Sequence, residues 1–266
     1  MTIRHLNCAT MHPVGSFGGR VAPTSMVAHC LLVERPAGLL LVDTGFGTAD
    51  VADPRRLGQP FRAIVRPELL AAETALAQVT ALGYAAADVT DIALTHLDLD
   101  HVGGISDFPG ARVHVFADEH DAALHPTFQE KARYLPVQWA HGPDWVRHDV
   151  PGDAWFGFGS VTALDDDVLL IPLQGHTRGH CGVAVRRPDG GWLLHAGDSY
   201  FHASEKLTPP APPFGLKVFQ RLMGVDDKRR LANQARLQEL QRAHSDEVTI
   251  FCAHDADELA AFGGGA

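Results

Sequence analysis

Thr95-His96-Leu97-Asp98-Leu99-Asp100-His101-Val102-Gly103-Gly104 packs four potential metal ligands into six residues and follows them with two glycines. The preceding Asp91-Ile92-Ala93-Leu94 reads as a short buried strand, so the ligands are expected on the loop where that strand ends. A helix is expected at or just after the glycines. Asp100 then lies near its N-terminus, where the dipole and free N–H groups favour a carboxylate.

The chain around this stretch has 266 residues, 45% of them apolar, enough to bury a substantial core as one large domain or two similar halves. A net charge of −10 and the lack of a basic stripe argue against a nucleic-acid partner; Lys228-Arg229-Arg230 reads as a solvated helix face. Met1 to Pro13 has no apolar leader-like core, and no apolar run approaches the roughly 20 residues that span a bilayer. The expectation is a soluble, cytoplasmic protein that uses neither nucleic acid nor membrane; its oligomeric state is open, a homodimer included. Cys8, Cys30, Cys181 and Cys252 form no C-x-x-C pair and read as buried, reduced thiols.

Ser25 to Glu34 and Leu39 to Val42 are apolar runs around Pro36 and Gly38, a hairpin that ends in the turn Asp43-Thr44-Gly45. That turn lacks the spacing of a phosphate loop and reads as a tight bend. Pro67 to Gly83 reads as one helix with Pro in its first turn and Gly at its end. Arg112 to Phe116 alternates like a strand, and a helix opens at Asp118. His114, His120, His125, His141 and His148 have no ligand-like spacing and read as surface or hydrogen-bonded residues. Pro126 to Pro151 is aromatic, proline-rich and weakly periodic. Val161 to Ala163 and Val168 to Pro172 read as strands, with Asp165-Asp166-Asp167 as a solvated turn rather than a calcium loop. Asp226 to Ala243 reads as an amphipathic helix with Leu231, Ala235, Leu237 and Leu240 on one side. Val248 to Phe251 is a strand that runs into Ala253-His254-Asp255.

Strand ends therefore bring His96, Asp98, Asp100, His101, His176, Asp198 and His254 into play. Zinc and similar ions bind imidazole and carboxylate at about 2.0–2.2 Å. Seven donors are too many for one ion and suit two ions about 3.5–4 Å apart with a shared carboxylate. The order of elements suggests an α+β chain of two packed sheets with helices on the outer faces.

These motifs, His96-x-Asp98-x-Asp100-His101 with Val102-Gly103-Gly104, Gly175-His176-Thr177-x-Gly179-His180, Gly197-Asp198 and His254-Asp255, with the early Val42-Asp43-Thr44-Gly45, resemble the metallo-β-lactamase superfamily over nearly the whole chain. The resemblance implies a single domain over residues 1–266, an αβ/βα four-layer sandwich of two mixed sheets, with two divalent metal ions, zinc by default, at one edge. It places His96, Asp98 and His176 on the first metal, Asp100, His101 and His254 on the second, Asp198 between them, and His180 in a structural role. The usual pattern is H-x-H-x-D-H, and here Asp98 stands where the second His is expected. With two divalent ions and a bridging hydroxide, Asp98, Asp100 and Asp198 bring the count to zero, where an imidazole at position 98 would leave +1. On that count Asp98 favours a harder ion, iron or manganese, or weakens Lewis acidity.

The expected reaction is hydrolysis of a small ester, lactone or thioester by metal-activated water, with Asp100 orienting the nucleophile or moving a proton. Lactonases of the superfamily carry a Tyr three residues beyond the bridging Asp; here that position is Phe201, and Tyr200 is the candidate substrate-oriented residue. Met11 to Gly18, Trp139 and Phe214 are candidates for an apolar pocket. The alternatives are a diiron redox enzyme of the same fold, whose members carry an acidic residue at the second motif position, and a phosphodiester or β-lactam hydrolase. A noncatalytic binding protein is a third class.

Overall fold

The computed structural model describes residues 1–149, 152–159 and 162–263; Val161, expected to start a strand, lies outside them. Six strands, β1 (Thr2–Met11), β2 (Met26–Arg35), β3 (Gly38–Val42), β4 (Val89–Ala93), β5 (Arg112–Phe116) and β6 (Asp144–His148), form the first sheet in sequence order. β1, β2 and β3 run antiparallel, and β3 to β6 run parallel. The second sheet has the order β11-β10-β9-β8-β7, from β7 (Thr162–Asp165), β8 (Val168–Pro172), β9 (Cys181–Arg186), β10 (Trp192–His195) and β11 (Val248–Phe251). Its β10 and β11 are parallel and its other pairs antiparallel.

Three apolar clusters define the layers. Leu31, Val33, Leu40 and Val42 of the first sheet meet Val168, Leu170, Val183 and Phe251 of the second, which is the seam between the sheets. Leu6, Leu32, Leu41 and Ile92 face the other way, toward Val79 of α3 (Ala75–Ala81, after α1 Thr48–Ala52 and α2 Gln59–Val65). Ile171, Ala184, Leu194 and Ile250 face Leu237 and Leu240 of a long helix at Asp227–His244. Strands buried on both faces read as continuous apolar runs, as Leu39-Leu40-Leu41-Val42 does. The result is the expected αβ/βα sandwich.

The structure departs from the expected elements in four places. The ligand-bearing helix α4 (Leu99–Val102) starts before the glycines, not at or after them, and a 3-10 turn over Gly103–Asp107 follows it. The glycines serve close approach instead: a Cβ on Gly103 would strike Asp50 and Gly45, and one on Gly104 would strike Thr44. Pro67 to Gly83 is not one helix. Pro67 bridges to Met11, Glu68 N–H donates to Thr10 O at 2.9 Å, and Leu69 has a φ of 55°, so the helix waits for the Thr74 cap. Residues 1 to 20 read from the sequence as a loop that could flank a site, yet their first half is strand β1, paired along β2. After α5 (Ala117–Leu124) and α6 (Phe214–Met223) comes α7 (Asp227–His244), where the period is right and the face is partly wrong. Leu231 and Ala235 are exposed, while Arg230, Asn233 and Gln234 are buried beside Leu237 and Leu240; α8 (Ala256–Ala261) closes the fold.

The register of α7 has a direct check. Leu237→Ala should lower stability by about 2–5 kcal/mol, whereas Leu231→Ala should stay within about 0.5 kcal/mol, both measured by urea denaturation.

Candidate metal centre

Each donor loop leaves a strand at the same edge of the sandwich. Asp43-Thr44-Gly45 follows β3, His96 to His101 follow β4, Gly175 to His180 follow β8, Gly197-Asp198 follow β10, and His254 follows β11. Backbone hydrogen bonds lash these loops together: Thr44 N–H to His101 O at 2.8 Å, Cys181 N–H to Thr95 O at 2.9 Å and Ala253 N–H to Gly197 O at 3.1 Å.

The seven sequence-derived donors converge in two groups, His96, Asp98, His176 and Asp198, and Asp100, His101 and His254. In the first, His176 Nε2 lies 3.0 Å from Asp98 Oδ2 and 3.3 Å from Asp198 Oδ2, and His96 Nε2 lies 3.4 Å from Asp98 Oδ2. In the second, His101 Nε2 lies 3.3 Å and His254 Nε2 3.1 Å from Asp198 Oδ1, and Asp100 stands 3.7 Å from His254. Asp198 thus stands between the groups, with Oδ1 toward His101, Oδ2 toward His176, and His254 Nε2 at 3.1 and 3.2 Å from the two oxygens. The imidazole side chains are no more than 3% exposed, while Asp98 and Asp100 keep 14% and 11%, which marks the mouth.

The imidazoles are aimed by what holds their other nitrogen. His101 Nδ1–H donates to Asp43 Oδ2 at 2.8 Å, and His254 Nδ1–H donates to Val27 O at 2.7 Å. Thr95 donates its hydroxyl to Asp43 and stands 2.9 Å from His96 Nδ1, whose N–H it can accept. His180 works one step out, as expected: Nδ1–H donates to Leu173 O and Nε2 accepts the Asp198 N–H at 2.8 Å.

Burial works to raise the Asp198 carboxyl, but the surrounding histidines, His254 first, hold it well below the usual carboxylate range. Burial likewise opposes protonation of His101, and Asp198 and Asp43 overcome it. Burial, with the Arg133 charge, brings His176 down to about 4, which keeps it a neutral donor. Burial also works to raise Asp98, and Arg133 leads the charges that keep it ionised.

Three sequence candidates, Tyr200, Trp139 and Phe214, do not reach this centre as expected. Tyr200 is fully buried in the apolar layer beneath the second sheet, and its hydroxyl donates to Glu258 at 3.1 Å, so the backbone at β10's exit presents Phe201 instead. The Phe201 ring stacks on His254 at 4.9 Å and tilts against His176 at 5.8 Å. Trp139 is half-buried against the core under the first sheet, and Phe214 is exposed. Asp43 entered the sequence reading as a tight turn and as part of the Val42-Asp43-Thr44-Gly45 motif, without a role of its own, and two further residues escaped notice. Glu119 accepts from Leu97 N–H and Gly179 N–H at 3.0 Å each, clamping two ligand loops. Arg133, from the weakly periodic stretch, reaches Asp98. His114 bonds Asp91 at 2.9 Å and His148 at 3.0 Å, and His125 and His141 are exposed, as expected; His120 is instead buried edge-on against Trp145, with Nδ1 unbonded among the described residues. Asp165 takes Arg35 and Asp167 takes Arg186, as a solvated turn would.

The donor set fits divalent metal ions. Ligand atoms on a tetrahedral ion with bonds of about 2.0–2.1 Å lie about 3.3 Å apart, close to the separations within the first group. His96 Nε2 and Asp198 Oδ1 are buried without hydrogen-bond partners, an arrangement that is costly without a cation to satisfy them.

The chain matches the model of the metallo-beta-lactamase superfamily over residues 24–254. It is 45% identical over 261 residues to a Mycobacterium tuberculosis protein named "Probable metallo-hydrolase", covering 96% of this chain and 80% of that one. It is 26% identical over 260 residues to an N-acyl homoserine lactonase of Agrobacterium fabrum, covering 95% and 90%. A crystal structure of a Bacillus thuringiensis protein with N-decanoyl-L-homoserine at its active site superimposes with a TM-score of 0.75 at 20% identity, covering 97% of this chain and 95% of that one.

Stripping divalent metal with a chelator should lower the melting temperature, and zinc should restore it, because metal binding contributes to folding free energy. Asp43→Asn should weaken metal affinity about 10–100-fold in a chelator competition, the usual cost of losing a ligand's orienting partner.

Proposed function

The chain belongs to the metallo-β-lactamase superfamily as a hydrolase of that fold, and we propose that it opens a small ester, a lactone in particular, at a centre of two divalent ions. One observation carries the reading: the Asp198 carboxylate lies between two groups of donors and touches His176 of the first and His101 and His254 of the second. The whole chain, 1–266, is read as one catalytic unit.

His96, Asp98 and His176 would hold the first ion, His101, His254 and Asp100 the second, with Asp198 shared and zinc as the default metal. Bound divalent ions supply Lewis acidity, which acidifies water near neutral pH and polarises a carbonyl oxygen. The protein's part is orientation and proton movement. Asp100 combines residual exposure at the mouth with loose contacts of 3.7 Å to His254 and 3.9 Å to His101. It is the group placed to take the proton of the attacking water and pass it to the departing alkoxide. Phe201 lays an apolar ring over His254 and His176, shielding that side from water. Having no hydroxyl, it gives the alkoxide no phenol donor at that position.

The names of the relatives support hydrolysis over the redox alternative, and the lactonases among them support a lactone over a polyanion. A small-molecule substrate suits a mouth marked by two carboxylates.

Proton release should be followed with N-acyl homoserine lactones, simple γ- and δ-lactones, a thioester, a β-lactam and a phosphodiester. Lactones should turn over fastest; inert lactones beside a rapidly cleaved phosphodiester would overturn the proposal. Asp100→Asn should lower kcat about 10²–10⁴-fold, and Asp198→Ala should abolish turnover and metal binding together.

A further inference from the structure

Arg133 occupies a demanding position. Its side chain is 5% exposed, and each arm of the guanidinium is engaged: Nη1 donates to His176 O at 2.8 Å, Nη2 to Met223 O at 2.7 Å, and Nε lies 3.1 Å from Asp98 Oδ1. Among the described residues Asp98 is its ion-pair partner. A buried guanidinium is stable only when paired. Held by two backbone carbonyls and paired with Asp98 inside the protein, Arg133 is not presented to a substrate.

The contact divides the Asp98 carboxylate. Oδ1 faces Arg133, while Oδ2 faces His176 Nε2 at 3.0 Å and His96 Nε2 at 3.4 Å. One oxygen is thereby turned toward the first donor group, as one nitrogen of an imidazole would be. Arg133 also corrects the charge count. Asp98 takes the centre from +1 to zero relative to an imidazole, and the adjacent guanidinium returns it to +1. An imidazole at position 98 would leave the buried guanidinium unpaired beside two divalent cations, where like charges in a low dielectric repel strongly.

We propose that Asp98 and Arg133 form one composite ligand: Arg133 holds one carboxylate oxygen and neutralises the group, so that Asp98 offers the first metal a single, charge-compensated oxygen in place of the usual histidine. Arg133 is a positioning residue, acting through Asp98. The proposal rests on the two-metal reading above. It also removes the charge-based reason to expect iron or manganese, since the pair restores the charge of the histidine pattern.

The test is a double-mutant cycle read by metal content and chelator competition, with circular dichroism as the check on folding. The wild-type protein should hold two zinc ions; if it holds none, the two-metal reading fails and this proposal with it. Given two ions, Arg133→Met and Asp98→His should each weaken the more labile ion about 10–100-fold, as loss of an orienting partner does. The double variant Asp98→His/Arg133→Met, which places a neutral imidazole with no orphaned cation, should recover most of that affinity. A purely structural Arg133 predicts no recovery, since its bonds to His176 O and Met223 O are missing from Arg133→Met and from the double variant alike. Should Arg133→Met fail to fold, Arg133→Lys, which keeps the charge and loses the fork, replaces it, and affinity should then fall less than in Asp98→His. Full metal affinity in Asp98→His alone, or no recovery in a folded double variant, overturns the composite ligand while leaving the metal centre intact.

Discussion

The Asp43 carboxylate is the joint on which the metal centre turns. It is buried at the exit of β3, on a backbone with a φ of 55°, and it accepts the Thr95 N–H, the Thr95 hydroxyl and His101 Nδ1–H, each at 2.8 Å. Burial works to raise its pKa, yet the neighbouring histidines, His101 first, bring it down to about 2. A strained non-glycine residue persists where the surroundings over-determine it. Here three hydrogen bonds do so, and through them one side chain sets the orientation of His101 directly and, by way of Thr95, bears on His96.

Glu119 does for loop positions what Asp43 does for ring orientation. One oxygen takes Leu97 N–H, in the middle of the ligand motif, and the other takes Gly179 N–H, beside the second histidine loop. Tyr134 donates to the same carboxylate at 2.9 Å, and its neighbour in sequence is Arg133. The segment that delivers Arg133 to Asp98 is therefore anchored to the residue that spaces the loops carrying Asp98 and His176. Donor separations near those of a bound ion follow from this scaffold.

The convergence of the seven candidate donors was legible in the sequence because each lies on a loop that leaves a strand, and a strand end is a fixed point that local pattern can locate. The residues that support them were not, because their partners are distant along the chain: Glu119 with Gly179, Arg133 with Asp98. The face of α7 was misread for a related reason. Periodicity assigns Arg, Asn and Gln to solvent, yet Arg230 bonds Gln220, Asn233 bonds Gln174 O, and Gln234 bonds Glu205, so tertiary partners make polar residues good core. At Pro67, tertiary pairing with Met11 overrode a strong local helix signature. Tyr200 and Phe201 show the finest limit, since which of two adjacent residues faces the site depends on backbone geometry that pattern does not encode.

The donors also come from both halves of the chain: four from the loop after β4, three from loops of the second sheet. Ions held among them would act as cross-links, closing long stretches of chain into loops, the regime in which a covalent tie restricts the unfolded ensemble most in theory. The four cysteines, Cys8, Cys30, Cys181 and Cys252, are buried and unpaired, so no disulfide performs that service. On the proposed function the reactive centre would also be the staple, and a cell's supply of metal would govern how long the protein survives as well as how fast it works.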